Sequence, residues 1–246
     1  MIRKILRFLK AYGLLVVPSR MGVFTEIAEK TKFDHAFSIS YSQGGEDLAL
    51  LNLLSESPKG SYIDVGAHHP SRFSVTRVLY DMGWSGVNID ANKDLIAEFN
   101  IKRQRDINIC AAVGPLNQYE LFVFSEPAIS SINLGWRDKF ISEGNIVLKT
   151  EKVSGVSLRE IIDKYFPNKQ LDLLTIDIEG ADLDALVSGD FFNLAPERLP
   201  KWILLESIPP LDNVVNTESI KYALRLGYQI HCVLPMSTIL KYNYKK

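Results

Sequence analysis

Read for the spacing of apolar and polar residues, the chain changes character near residue 60 and then alternates short apolar runs with helical patterns. The runs at 61–65, 86–90, 107–113, 119–124, 171–178, 202–208, 228–234 and 237–242 read as strands. Between them, "SRFSVTRVLYDMG" sets Val75, Val78, Leu79 and Met82 at helical spacing, and Gly83 supplies a stop. Asn92 is placed to cap a helix carrying Leu95, Ile96 and Phe99. "SLREIIDKYF", "ADLDALVSGDFF" and "TESIKYALRLG" are further helical stretches. "LDLLTIDI" and "WILLESI" are almost wholly apolar, as strands covered on both faces are. Strand and helix in alternation imply an α/β fold with a doubly wound, mainly parallel sheet. Residues 114–150 interrupt the alternation. There "YELFVFSEPAISSINLGW" reads as a hairpin or extended arm and 135–150 as a loop or short helix, an insertion suited to substrate selection or to a dimer contact.

Composition narrows this only a little. The 246 residues are 46% hydrophobic and 23% charged with a formal net charge of −1, ordinary for a globular chain and without a general pull toward nucleic acid. Cys110 and Cys232 lie apart in apolar runs, which favours buried thiols and a reducing, cytoplasmic setting. The N-terminal stretch puts Arg3, Lys4, Arg7 and Lys10 on one helical side and Ile2, Ile5, Leu6 and Leu9 opposite. Its uncharged run from Ala11 to Pro18 is far shorter than the roughly 18 residues of a spanning helix. Residues 1–39 are therefore read as an amphipathic helix and linker, and 40–246 as the main domain. A helix docked on the domain or on a neighbouring copy is preferred to one lying on a membrane surface.

In a doubly wound sheet, ligands sit beyond the carboxyl ends of the strands. Asp64–His69, Asp90–Asn92, Cys110–Ala112, Asp177–Gly180 and Glu206–Ser207 stand there. Gly66 lets a ligand approach the backbone, and a helix starting near Ser71 would aim its free N–H groups at the same place. Asp90, ending the next strand, suits a ribose diol. The turn lacks G-x-G-x-x-G, and two acids beside it would repel a pyrophosphate. They suit a cationic ligand with an amino group and a sulfonium, S-adenosylmethionine.

"YSQGGEDLALL", "YIDVGAHHPSRFSVTRVLYDMGWSGVNIDAN", "LLTIDIEGADLDALVSGDF" and "ILLESI" occur in the order that resembles the FkbM family of S-adenosylmethionine-dependent methyltransferases, over about residues 40 to 243. The resemblance implies a seven-stranded, Rossmann-like sheet with an antiparallel last strand. It also implies O-methylation of a sugar or surface-glycan hydroxyl, as in polysaccharide biosynthesis. Carried over by position, Asp64 and Gly66 match the motif of the first strand, with Ala67 and His68 departing from the broader G-x-G pattern. Asp90 matches the ribose acid, followed by Ala91 and Asn92, while Cys110 and Ala111 fall where the adenine ring is flanked. Asp177, Glu179 and Gly180 match D-x-E-G after the fourth strand, with Asp177 assigned to the cofactor as well as to catalysis.

Adjacent histidines rarely point into one site, so His68 is assigned to the donor and to catalysis, and His69 to packing elsewhere. His35 and His231 are read as structural, the latter as a satisfied core histidine. Gln43, Gly44 and Glu46 either fold over the methionine end of the cofactor or belong with Asp47 to a helix cap. Ser130, Ser131 and Asn133 either hydrogen-bond a sugar or form a solvated turn. The expected chemistry is in-line methyl transfer to a hydroxyl, with Asp177 or His68 as base and Glu179 or Glu206 orienting the acceptor. No metal ligand is assigned, although a Mg²⁺ on Asp177 would acidify a hydroxyl directly. The rival readings are a nicotinamide-dependent sugar oxidoreductase and a non-catalytic nucleotide-binding module.

Overall fold

The computed structural model describes residues 16–18, 38–54, 59–208 and 211–243. In chain order the elements are β1 (Val16–Pro18), β2 (Ser38–Ser40), α1 (Glu46–Leu54), β3 (Ser61–Val65), α2 (Arg77–Asp81), β4 (Ser85–Asp90), α3 (Lys93–Lys102), β5 (Ile107–Cys110) and β6 (Ala112–Val113). Then come β7 (Gln118–Phe124), α4 (Leu134–Ser142), β8 (Val147–Val156), α5 (Leu158–Tyr165), β9 (Leu173–Ile176) and α6 (Asp182–Ser188). Last are β10 (Trp202–Glu206), α7 (Leu211–Asn216), α8 (Glu218–Arg225), β11 (Tyr228–Val233) and β12 (Ser237–Tyr242). The charged N-terminal helix expected before Val16 lies outside the described residues. Among those described, no helix is long and apolar enough to cross a membrane.

Seven strands form the main sheet in the order β11-β12-β10-β9-β3-β4-β5. β3, β4, β5, β9 and β10 pair in parallel, and β12 runs antiparallel to both β10 and β11. Alternation along β3 shows how the strands serve two faces. Ile63 and Val65 enter the cluster that takes in Leu158, Ile162, Ala185 and Ile220 from α5, α6 and α8. Tyr62 joins the opposite cluster with Leu50, Leu79 and Trp84. Both faces are thus covered, which is why these strands read as nearly unbroken apolar runs. The chain order reverses between β3 and β9, opening a crevice at their carboxyl ends.

The insertion is a second sheet, β6-β8-β7, with α4 between β7 and β8. The short helix expected within 135–150 is α4, whereas the partner of β7 is β8, ten residues reading "VLKTEKVSGV" that begin at the end of that range and for which the sequence predicts no strand. Lys149 and Lys152 of β8 face outward, Glu151 is half-buried, and these charged positions hide the apolar signal. The run at 107–113 breaks at Ala111, whose N–H bonds to the Asp90 carbonyl, leaving β5 and β6 in different sheets.

The helix expected near Ser71 begins instead at Arg77 and is only five residues long. The reason is side-chain competition for the backbone of 66–76. The His69 Nδ1 accepts from the N–H groups of Ser71 and Arg72, at 3.0 and 2.8 Å. The wholly buried Arg103 donates to the Pro70 and Thr76 carbonyls and to Ser74 Oγ. A helix dipole therefore does not bear on Gly66. Two other expectations fail because they fall on edge strands: Cys110 on β5 is exposed, and so is His231 on β11, which meets Trp202 edge-on at 5.0 Å.

Candidate functional site

A cleft of about 560 Å³, counting the part open to solvent, lies at the carboxyl ends of β3, β4 and β9. Gly66, His68, Asp90, Ala91, Ala111, Asp177 and Glu179 line it, so the strand-end positions picked out by sequence come together. Gly66 has a φ of +77°, and a Cβ there would sit 1.9 Å from the Asp177 carbonyl oxygen. No other residue lets the two strand ends approach so closely.

Asp90 is held by backbone alone. One oxygen accepts from His68 N at 2.9 Å, the other from Asn92 N at 2.7 Å, and burial pushes its carboxyl up to about 6 against those two bonds. Each oxygen keeps a lone pair for a ligand. Asn92 itself caps α3 through Asp94 N. Asp64 sits differently. It is buried on the Tyr62 face, with one oxygen taken by Thr76 Oγ1 and the other by Thr175 Oγ1, both at 2.7 Å, and it does not line the cleft. Ala67, Asn92, Cys110, Glu206, Gln43, Gly44 and Glu46 also stand outside the lining. Glu46 turns back to accept from Gly44 N at 2.8 Å, and Asp47 gathers the hydroxyls of Ser40 and Ser42 at 2.6 and 2.8 Å.

His68 enters the cleft with a left-handed backbone, φ +54°. Its Nε2 lies 2.9 Å from Arg72 Nη1, and a guanidinium only donates, so Nε2 accepts and the proton is assigned to Nδ1. Burial, then the Arg72 charge, pushes the imidazole down to about 4. The ring is neutral near pH 7 with its basic lone pair engaged, which makes it a poor proton acceptor.

The carboxylates are the basic groups left. Asp177 is exposed on the cleft wall yet stands among protein groups: desolvation, then repulsion from Glu206, Glu46 and Asp64, pushes it up to about 7. Burial followed by the Asp177 charge takes Glu179 to about 8, and burial followed by Asp182 takes Glu206 to about 7. Asp182, raised to about 7 by burial and Asp177, keeps a buried Oδ1 without a partner. Lys139 is the cation whose field counters Glu179 and Glu206, and its ammonium rests 3.9 Å from the Trp136 ring centre. Such a cleft is short of positive charge and suits a cationic ligand. Among the described residues, no group of three or more His, Cys, Asp and Glu is arranged to hold a metal ion.

Glu179 and Gly180 both have positive φ, +52° and +89°. Ser131 Oγ donates to the Glu179 carbonyl at 2.8 Å and Asn133 Nδ2 to the Gly180 carbonyl at 2.9 Å. Two such bonds, about 1 kcal/mol each, offset the roughly 1–3 kcal/mol of a left-handed non-glycine residue. Ser131 and Asn133, read from sequence as sugar contacts or a solvated turn, spend those donors on the site's own backbone. Sequence reasoning missed Leu121, Pro127, Ala128 and Ile132, which line the cleft from the insertion and carry no chemical signature.

A sheet of this order, with one antiparallel strand and a crevice at its switch point, defines a Rossmann-like α/β fold. Residues 64–228, more than half of the chain, match the methyltransferase FkbM domain, and the chain belongs to that family. No curated protein matches in sequence. Similar solved structures include a TehB-like SAM-dependent methyltransferase from Corynebacterium glutamicum, at 10% identity and a TM-score of 0.41 over 89% of this chain and 96% of that one. Another is the human methyltransferase 10 domain containing protein, at 10% identity and a TM-score of 0.43 over 91% and 95%.

Proposed function

We propose that this FkbM methyltransferase transfers a methyl group from S-adenosylmethionine to a hydroxyl of a sugar or surface glycan, with Asp177 as the base. The observation that carries the reading is the meeting of Asp90, Gly66 and Asp177 in one cleft poor in positive charge. The donor fits what is present. Gly66 leaves room a side chain would fill, Asp90 keeps lone pairs for a ribose diol, and Ala91 and Ala111 offer small apolar flanks for a flat ring. When bound, S-adenosylmethionine supplies an electrophilic methyl on a positively charged sulfur.

The chain's own residues do the rest. Asp177, Glu179 and Glu206 hold less than full negative charge near neutral pH, and a cation beside them favours their ionised forms. Asp177 faces the cleft, and the described residues make no hydrogen bond to its carboxylate, so it is free to accept the hydroxyl proton as the new C–O bond forms. Glu179 and Glu206 orient the acceptor by accepting from neighbouring hydroxyls. Trp136, packed against Gly180, gives that end an apolar wall. Incubation with labelled donor and a panel of nucleotide-sugars and glycans identifies the acceptor. Asp177→Asn then lowers kcat by about 10²–10⁴-fold. Wild-type turnover in that variant would remove Asp177 as base.

A further inference from the structure

We propose that segment 125–133 is a strap forming the second wall of the donor cleft, and that the Arg72–Glu126 ion pair is its latch. The proposal rests on reading the cleft as the donor site. After β7 the chain crosses the crevice, and Pro127, Ala128, Ser130 and Ile132 line it, although none belongs to the main sheet. The strap is pinned at both ends. At one end Glu126 takes two parallel bonds from Arg72, Nη1 to Oε1 at 2.8 Å and Nη2 to Oε2 at 2.7 Å. Arg72 stands on the loop that leaves Gly66, its guanidinium 4.0 Å from the centre of the Phe73 ring. At the other end Ser131 and Asn133 hold the carbonyls of Glu179 and Gly180.

The two pins differ in kind. Ser131 is 2% exposed, and paired backbone bonds between Phe122 and Ser131 hold that end as well. The Arg72 and Glu126 side chains are 20% and 44% exposed, so this charge-assisted pair holds the strap at the end that water can reach. Opening therefore starts at the Arg72 end, with the Ser131 end as anchor. A donor held between the strap and the strand ends leaves faster once the latch parts, so the ion pair lengthens its residence time.

The probe is S-adenosylhomocysteine, followed by calorimetry and by stopped-flow dissociation on the full chain. Ala128→Phe fills the cleft from the strap and weakens binding by about tenfold or more, with the ligand-free Tm close to wild type. Should that variant fail to fold, Ala128→Leu gives the same comparison with a smaller intrusion. Glu126→Gln keeps the size and removes the charge, and speeds dissociation by about tenfold, equivalent to about 1.4 kcal/mol. Wild-type affinity in the folded Ala128 variant would overturn the wall, and a wild-type dissociation rate in Glu126→Gln would overturn the latch. If the wild-type chain itself binds no S-adenosylhomocysteine, the donor reading fails first, an outcome distinct from either.

Discussion

Glu179 concentrates the electrostatics of the site in one residue. Burial and the Asp177 charge raise its carboxyl to about 8, far above the value of an unfolded chain, near 4.3. Between those two values the folded protein binds more protons than the unfolded one, so this group's contribution to stability falls as pH rises from about 4 to about 8. Glu179→Gln removes the dependence. In the ligand-free protein the variant gains Tm over wild type at pH 9 and gains little at pH 4.5, a difference that thermal melts at the two pH values read directly. An equal change at both would mean that the carboxyl titrates normally. Sequence placed Glu179 at a strand end and linked it to D-x-E-G, but its left-handed backbone was invisible there. That conformation depends on Ser131, bonded to Glu179 from 48 positions away, and on Asn133, bonded to Gly180 from 47 positions away, and no local pattern reports such bonds.

At the level of elements, legibility followed burial. β3, β4, β9 and β10 are covered on both faces and announced themselves as apolar runs. β8 did not, because Lys149, Glu151 and Lys152 break the apolar signal. The loop after β3 misled for a different reason. Val75, Val78, Leu79 and Met82 all pack on the α1 side of the sheet at helical spacing, yet Arg103 and His69 claim the backbone that a longer helix would need. The D-x-G signal was read for Asp64 as well as Gly66, and only Gly66 reaches the cleft. Asp64 ties β3 to Thr175 of β9 and to Thr76 ahead of α2, which braces the crevice from below. The junction of β3 and β9 is accordingly the least tolerant point of the sheet. Gly66→Ala must move the Asp177 carbonyl as well as adopt positive φ. Denaturant unfolding is expected to show a loss of about 3 kcal/mol or more, in the range of severe backbone and packing defects. A loss under about 0.5 kcal/mol, the scale of a neutral surface change, would mean that the close approach is absent in solution.

Across the whole molecule, one arrangement joins these scales. The sheet brings an acid and a glycine to its switch point, the insertion covers them, and the acids around Asp177 leave the cleft wanting a cation. Composition and charge, nearly balanced overall, gave no hint of this local imbalance. The position of the bound donor decides the function. A crystal structure of the protein with S-adenosylhomocysteine tests that most directly. The result predicted is the ribose diol on the Asp90 carboxylate and the thioether beside Gly66, with the Asp177 carboxylate left free on the acceptor side. An empty cleft, or a ligand bound with Asp90 turned away from its sugar, would contradict the central claim.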